Sequence, residues 1–487
     1  MKLKPFSEDQ IIERIRFDNP WWETGKIPDF YLKLQKRLYF DLFIEQLKQT
    51  EVKRAVVMMG PRRVGKTVPL FQSIQQLLDE KASPSKICYL SLDTPIYNNI
   101  SLDDLFRLCR KSLNEKETKG FYLFFDEIQY LKNWEVHLKS MVDSYHETKF
   151  VASGSSAAAL RLKSEESGAG RFSDFLLPPL TFHEYLSLKG IQNIIEYKTI
   201  VSPESGEKII PAAENHEELN KHFIDYINYG GYPEIVMNPV IQNDPGQYIR
   251  NDIIDKVLLR DLPSLYGIRD VQELNAMFNV IAYHSGNEFN LEELSKQSGV
   301  DKNTIRRYLE YLEAAFLIKI IYPVGINTKR FLRAARFKIY LTNPSMRCAL
   351  FAPITINSEH LGQMVETAIF SQWMHWGKVP LHYSTWHNGE VDMVMVNPSQ
   401  KPDWAIEIKW SNLYFDNPEK LKGLIKYATE NKMQTVYATS VDKFGYKTVK
   451  GKHILFYQAA AYCYAVGKNS LDVKRRNIRL RNDSTII

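Results

Sequence analysis

AVVMMGPRRVGKTVPL, Ala55–Leu70, is the stretch on which the fold turns. Ala55–Met59 is a short uninterrupted apolar run, the pattern of a strand buried on both faces. It leads into Gly60-Pro61-Arg62-Arg63-Val64-Gly65-Lys66-Thr67, which matches G-x-x-x-x-G-K-T. Next comes a segment in which Leu70, Phe71, Ile74, Leu77 and Leu78 fall on one face of a helix. In a strand–loop–helix of this kind the backbone N–H groups curl around a β-phosphate, and the helix N-terminus adds partial positive charge. Lys66 is expected to reach the β- and γ-phosphates and Thr67 to offer its hydroxyl to Mg²⁺, so the expected ligand of Gly60–Thr67 is ATP. The plainer alternative is a glycine-rich turn.

Working outward, ICYLSL (Ile87–Leu92), FYLFF (Phe121–Phe125) and KFVAS (Lys149–Ser153) are further short apolar runs separated by segments of helical period. Strands alternating with helices predict a parallel α/β sheet covered on both sides. FYLFF runs into Asp126 and Glu127. Asp126 is expected to hold Mg²⁺, and Glu127 to orient or deprotonate the attacking water. Ser153, at the end of its strand, is placed to hydrogen-bond that water or the γ-phosphate, with Ser155 a weaker candidate. Arg171 follows in SGAGRF. It reads either as a solvated loop arginine or as an arginine finger, acting in its own subunit or in trans within a homo-oligomer.

The chain of 487 residues exceeds one compact core, and about one domain per 100–200 residues predicts roughly three or four units. With 44% hydrophobic and 25% charged residues it has an ordinary globular composition, and a net charge of +6 is compatible with a polyanionic partner or with a solvated surface. Cys88, Cys109, Cys348 and Cys463 are scattered, so neither a disulfide framework nor a zinc site is expected. No apolar run approaches the roughly 20 residues that span a bilayer. MKLKPFSEDQIIERIRF is charged where a signal peptide is apolar, so no membrane association and a reducing cytoplasm are expected.

Downstream of Pro178-Pro179 the strand–helix alternation stops. Ile191–Lys221 reads as a polar, loop-like insertion, and Phe223–Leu262 as helical with a break at Gly230-Gly231-Tyr232-Pro233. NLEELSKQSGVDKNTIRRYLEYLEAAFLIKII reads as helix, turn at Gly299, helix, with Asn290 and Asp301 as N-caps. Ile305, Leu309 and Leu312 form the buried stripe of the second helix and leave Lys302, Asn303, Arg306 and Arg307 outside. That is a surface suited to a DNA major groove, or simply an ordinary charged face. KIIYPV (Lys319–Val324) and FKIYLT (Phe337–Thr342) read as the strands that follow.

Near the C-terminus, HLGQMVETAIFSQWMHW is a helix carrying Glu366, and VDMVMVNPSQKPDWAIEIKW reads as two strands around a turn. If both are strands, Glu407 and Lys409 share a face, with Asp392 on the neighbouring strand. The order of helix, strand and strand resembles the PD-(D/E)xK nucleases, and that resemblance implies Asp392 and Glu407 as ligands of Mg²⁺ or Mn²⁺ with Glu366 assisting as a further metal ligand, and Lys409 orienting water or stabilising charge on a phosphate. The bland alternative is a cross-strand Glu–Lys contact. KRRNIRLRN (Lys474–Asn482) reads as a basic tail.

GPRRVGKT, FFDEIQ, ASGSSA, the GAGR loop, LLPPLTFHEYL and YINYGGYPEIV together resemble the bacterial and archaeal AAA-type P-loop ATPases that carry a C-terminal domain of unknown function. The region beyond resembles a winged helix followed by a PD-(D/E)xK restriction-endonuclease-like fold, although the proline expected ahead of Asp392 is replaced by Glu390-Val391. The resemblance implies an α/β protein with an ATPase domain over residues 1–190, a helical lid over 191–270, a winged-helix region over 271–345, and a nuclease-like domain with basic tail over 346–487. It implies an ATP-hydrolysing switch coupled to a region that binds nucleic acid and cuts it with a metal. The alternative is an ATP-dependent scaffold that binds protein through a degenerate nuclease fold. A small-molecule kinase is disfavoured, because Asp126-Glu127 supplies a base for water and no acceptor pocket is evident.

Overall fold

The computed structural model describes residues 6–49, 53–154, 170–204, 206–331, 335–376 and 380–483, with side chains up to 475. The chain divides into two compact units, Met1–Pro178 and Pro179–Ile487. The division falls at the prolines where the alternation stops, ahead of the boundary expected at residue 190, and the three later segments expected from sequence lie inside the second unit.

Among the described residues, the first unit is built on a five-stranded sheet of β1 (Ala55–Met59), β2 (Ile87–Ser91), β3 (Tyr122–Asp126), β4 (Lys149–Gly154) and β5 (Phe172–Leu176). The order is β2-β3-β4-β1-β5 and every pairing is parallel. The first four strands are the runs read from sequence. β5, FSDFL, was not anticipated, because an edge strand is buried on one side only and its polar residues hide it. The Thr67–Asp79 helix buries Leu70, Phe71, Ile74 and Leu77 and leaves Leu78 half-buried.

The other edge, β2, has backbone groups that need partners. The tryptophan-rich start supplies them. Asn19 accepts from Tyr89 N (2.6 Å) and donates to Tyr89 O (2.9 Å), while the indole N–H groups of Trp21 and Trp22 donate to Ile87 O at 3.0 and 2.8 Å. Cys88 on β2 and Cys109 on the Leu102–Ser112 helix, both buried, are bonded as a disulfide. The expectation was of no disulfide framework, and this single pair arises because the strand and the helix after it bring together two cysteines whose spacing carries no signal.

In the second unit, Ile191–Lys221 is not loop-like. It holds the antiparallel hairpin β6 (Glu196–Ser202) and β7 (Gly206–Ala212), then the start of the His216–Tyr229 helix. The hairpin exposes Tyr197, Val201 and Ile209, so no clean alternation marks it. The Val271–Tyr283, Leu291–Ser298 and Lys302–Ala314 helices accompany β8 (Glu288–Asn290), β9 (Ile318–Ile321) and β11 (Arg336–Leu341), an antiparallel sheet of order β8-β11-β9. The run read as one strand, Lys319–Val324, is split at Tyr322. β9 stays in this sheet, while β10 (Pro323–Val324) pairs with β12 (Leu381–Trp386) in another.

That other sheet, seven-stranded among the described residues, has the order β10-β12-β13-β14-β15-β17-β16. It adds β13 (Gly389–Val396), β14 (Pro402–Glu407), β15 (Thr435–Ser440), β16 (Gly445–Val449) and β17 (Lys452–Gln458). One apolar core joins it to the Leu361–Trp373 helix and the apolar start of the Ala459–Asp483 helix; another joins it to the Lys422–Glu430 helix. The basic run Lys474–Asn482, read as a tail, continues that last helix. None of the described helices is long and apolar enough to cross a membrane.

His183, on the Phe182–Leu188 helix, meets Tyr464 edge-on at 4.9 Å between ring centroids. Burial first, then nearby Lys468, pushes its pKa down to about 4. A folded pKa below the unfolded value near 6.5 means that its contribution is present above that value and lost as pH falls through about 4. Urea titrations should therefore show stability falling between pH 6.5 and 4. His183→Leu should remove a part on the order of 3 kcal/mol of that fall.

Candidate functional site

The phosphate loop leaves β1 at Met59, whose carbonyl accepts from Leu177 N at 2.7 Å. A Cβ at Gly60 would stand 2.1 Å from the carbonyl oxygen of Leu177, so only glycine fits. Arg63 and Gly65 take positive φ values of 63° and 85°, which turns the loop back on itself ahead of the helix. Lys66 Nζ donates to the carbonyls of Gly60 (3.1 Å) and Pro61 (2.8 Å), and buried Arg37 ties Val64 O (3.1 Å) to Pro178 O (2.8 Å).

Asp126, buried at the C-terminal end of β3, is the hub. Its Oδ2 accepts from the hydroxyls of Thr67 (2.7 Å) and Tyr89 (2.8 Å); its Oδ1 accepts from the Ser153 hydroxyl and from Glu127 N (3.1 Å). Burial, then the charge of Glu127, raises the Asp126 pKa, and the three hydroxyls oppose that rise. Glu127 sits in the left-handed region at φ 53°, which swings its side chain away from the strand direction, and accepts from Gln129 Nε2. Thr67, Asp126, Glu127 and Ser153 thus meet at the C-terminal edge of a parallel sheet, where open α/β sheets bind ligands. A threonine hydroxyl beside a carboxylate is an all-oxygen donor pair suited to Mg²⁺.

Arg171 does not meet them. Its carbonyl accepts from Ala55 N at 3.0 Å, so it lies where β1 begins, roughly 16 Å along the strand from the loop by the usual rise per residue. Its side chain pairs with Asp143 at 2.5 Å on the surface. The reading of Arg171 as a finger within its own subunit is corrected by this topology. Ser155 lies outside the described residues. Tyr89 and Arg37 escaped the sequence reading; the one available signal was that Tyr89 lies on the run that becomes the strand beside β3.

The second group gathers in the second unit. Lys409 Nζ is 2.8 Å from Glu407 Oε1 and 3.2 Å from Asp392 Oδ2, and Asp392 Oδ2 also accepts from Ile408 N at 2.8 Å. β14 ends at Glu407, so Lys409 is held by Thr439, which accepts from its N–H (2.8 Å) and donates to its carbonyl (2.9 Å). Glu366 accepts from the Tyr340 hydroxyl at 2.5 Å. Lys338 on β11, 4% exposed, lies 2.5 Å from Glu390, 3.6 Å from Glu366 and 4.0 Å from Asp392. Burial opposes the charge of both lysines, yet the surrounding acids hold both pKa values above the ordinary lysine range. Burial raises the Glu366 pKa and, with Asp392 next, pushes Glu407 up to about 8. Among the described residues no group of three or more His, Cys, Asp and Glu is arranged to hold a metal ion, and ammonium groups stand beside the acids. One atom departs from this closure: Glu407 Oε2 is buried without a hydrogen-bond partner, an oxygen donor that fits a cation.

Lys302, Asn303, Arg306 and Arg307 lie exposed on one helix over buried Ile305, Tyr308, Leu309 and Leu312. Asn290 and Asp301 cap the two helices and Gly299 turns between them at φ 78°.

Residues 52–186 match the family model described as an AAA domain, and residues 220–359 match a domain of unknown function, DUF8612. An uncharacterized protein of Methanocaldococcus jannaschii is 27% identical over 353 residues, 71% of this chain and 73% of the relative. An uncharacterized Haemophilus influenzae protein is 25% identical over 309 residues, 62% and 70% respectively. Among solved structures, a Walker-type ATPase of Pyrococcus abyssi is 15% identical with a TM-score of 0.36, covering 63% of this chain and 94% of its own. The ORC2 protein of Aeropyrum pernix is 13% identical with a TM-score of 0.35, covering 58% and 85%. The AAA-domain match and the geometry of the loop agree: the protein is a P-loop ATPase.

Tyr89→Phe removes a hydrogen bond to the buried Asp126 carboxylate without changing ring packing. Steady-state phosphate release should fall about tenfold, and thermal unfolding of the first unit should come several degrees lower, in line with the ~1.5–3 kcal/mol of a hydrogen bond to a charged group.

Proposed function

We propose that ATP binding and hydrolysis by the first unit switch a second unit that binds nucleic acid and cleaves phosphodiesters with a divalent metal. In the first unit Lys66 meets the β- and γ-phosphates, backbone N–H groups of Gly60–Thr67 cradle them, Thr67 and Asp126 hold Mg²⁺, Glu127 takes the proton of the attacking water and Ser153 orients it. Arg171 remains available only across an interface between subunits, as a finger in trans. Lys66→Ala should abolish turnover. Glu127→Gln should keep nucleotide binding while slowing hydrolysis by about a hundredfold or more, within the usual span for a general base. ATP hydrolysis that survives Lys66→Ala would refute the assignment of the loop.

The observation that carries the nuclease part is the convergence of Glu366, Asp392, Glu407 and Lys409 from a helix and two strands, with Glu407 Oε2 buried and unpartnered. Bound Mg²⁺ or Mn²⁺ would supply Lewis-acid charge and an activated water at the carboxylates. Lys409 would steady the charge that develops on the phosphate, and Lys302, Asn303, Arg306 and Arg307 would grip the backbone and grooves of DNA.

A second reading draws on a specific observation. Lys338 and Lys409 pair the carboxylates internally, as in an inert ion-pair network, which favours a protein-binding scaffold with a degenerate nuclease fold. Plasmid and single-stranded DNA incubated with Mg²⁺ or Mn²⁺, with and without ATP, separate the two. Cleavage lost in Asp392→Ala and in Glu407→Ala/Lys409→Ala supports the nuclease; intact DNA throughout supports the scaffold. Reversing the charge of Arg306 and Arg307 should weaken DNA binding and flatten its salt dependence.

A further inference from the structure

Six aromatic side chains of the second unit meet in an unbroken row that neither candidate site uses. Trp376 meets Trp373, and Trp373 meets Trp404, each pair with ring centroids 5.0 Å apart. Trp404 is 6.3 Å from Tyr437, Tyr437 is 6.3 Å from Tyr457, and Tyr457 is 5.4 Å from Tyr462. Trp404, Tyr437 and Tyr457 stand on β14, β15 and β17, neighbours in the seven-stranded sheet, and the pairing of Ile406 with Tyr437 and of Tyr437 with Leu455 puts all three on one face. The row lines a cavity of about 330 Å³, within the roughly 300–1,000 Å³ usual for ligand sites. Trp373 and Tyr462 are buried, whereas the other four are half-buried and leave ring surface for an occupant. Uncovered aromatic surface gathered in one cavity, rather than scattered singly, marks a place where something binds.

The rim is cationic. The Lys208 ammonium lies 5.3 Å from the centre of the Tyr437 ring, and Lys468, which lines the cavity beside exposed Asn469, lies 5.9 Å from that of Tyr197. Acids answer these charges in part. Lys468 shares Asp472 (3.3 Å) with Arg475 (3.8 Å); burial lowers the Lys208 pKa, and nearby Glu204 opposes that fall. A cationic ligand of the kind held by aromatic cages would therefore meet rings that ammonium groups already face. A ligand with flat π-faces and negative charge suits both halves of the site. The shape narrows the class further, since a cage closes around one group while a row stepping across three neighbouring strands offers faces to several. Unpaired bases on a phosphodiester strand present that succession of flat faces and charges, and stacking on aromatic side chains beside basic ones is how single strands are held without sequence readout. Bases inside a duplex are stacked on one another and do not reach such rings.

We propose that this aromatic row binds the unpaired bases of a single nucleic-acid strand, with Lys208 and Lys468 meeting its phosphates. The assignment rests on the reading of the second unit as one that binds nucleic acid, and adds that the strand is single at this place. It needs no metal and none of the acids around Asp392.

The test uses the full chain with a chelator and without ATP, so that strands stay intact. Fluorescence anisotropy follows a labelled oligothymidylate of about 15 nucleotides, near the upper end of site sizes for one such module, and a labelled duplex of equal length. Tyr437→Leu and Trp404→Leu should each weaken single-strand binding about tenfold or more, the effect of losing one stacked base, and leave duplex affinity unchanged. Tyr437→Phe, which keeps the ring, should bind the strand as the wild type does. Reversing the charge of Arg306 and Arg307 should do the opposite, weakening the duplex and sparing the single strand. Single-strand binding untouched by Tyr437→Leu and Trp404→Leu would overturn the site, while duplex binding that depends on Arg306 and Arg307 would leave the nucleic-acid reading standing. Failure to bind either nucleic acid would sink both. Competition by free dTMP as effective as that of the unlabelled oligonucleotide would overturn the strand in favour of a lone nucleotide. Should the ring variants fail to fold, Lys208→Glu/Lys468→Glu, at the partly exposed rim, still decides: it should weaken single-strand binding and flatten its salt dependence, and unchanged affinity would remove the proposal.

Discussion

A carboxylate taken out of water must be met by hydrogen bonds or by a cation, and both candidate sites are organised by that requirement. In the first unit the buried acid is Asp126, and the chain meets it with the hydroxyls of Thr67, Tyr89 and Ser153 and the amide of Glu127. Those partners come from the phosphate loop, from the two strands beside β3 and from the residue that follows β3, so the carboxylate ties the loop to the sheet. In the second unit the buried acids are Glu366, Asp392 and Glu407, and the chain meets them largely with ammonium groups.

The difference between hydroxyls and ammonium groups has chemical consequences. Hydroxyls are neutral and rotate; they stabilise a carboxylate while leaving its charge to attract Mg²⁺, and the Thr67 oxygen itself becomes a donor once its proton points elsewhere. Ammonium groups cancel charge, so the acids of the second unit are balanced by partners of the chain itself. The first arrangement suits a site that binds metal with each nucleotide, whereas the second is balanced within the fold. Removing a lysine from the second network leaves a buried acid without its cation, which is costlier than the pair was stabilising.

What the sequence made legible follows from how burial writes itself into a pattern. β1 to β4 are covered on both faces, so they appear as unbroken apolar runs, and the loop between β1 and its helix was readable from glycine spacing. β5 and the β6–β7 hairpin face solvent on one or both sides and blend into polar sequence. Glu366, Asp392, Glu407 and Lys409 were legible as a constellation because each stands out against apolar neighbours. Lys338 was not, for a specific reason: in FKIYLT the alternation sets Phe337, Ile339 and Leu341 against Lys338 and Tyr340, and a lysine on the polar face of a strand ordinarily means solvent. Here both faces of the strand are buried, and the acids across from Lys338 are what balance its charge there. Arg171 failed in the opposite direction, since a glycine-rich loop carries no record of which end of the sheet it adjoins.

The route by which Lys338 reaches the acids also limits how the cluster can be divided. The chain leaves the three-stranded sheet at β9, kinks at Tyr322-Pro323 and enters the seven-stranded sheet as β10, before returning as β11 to lie between β8 and β9. The two sheets are therefore threaded by one continuous segment, and Tyr383 on β12 donates to Glu288 on β8 at 2.8 Å across them. Lys338 and Tyr340 fall within residues 220–359, matched to the domain of unknown function, whereas Glu366, Glu390, Asp392, Glu407 and Lys409 all lie beyond it. A fragment ending near residue 360 would bury a lysine with no acid to pair it, and one beginning there would leave Glu366 and Glu390 without the lysine nearest to them. The cluster is thus a property of the second unit as a whole, and its charge balance exists only when both sheets are present.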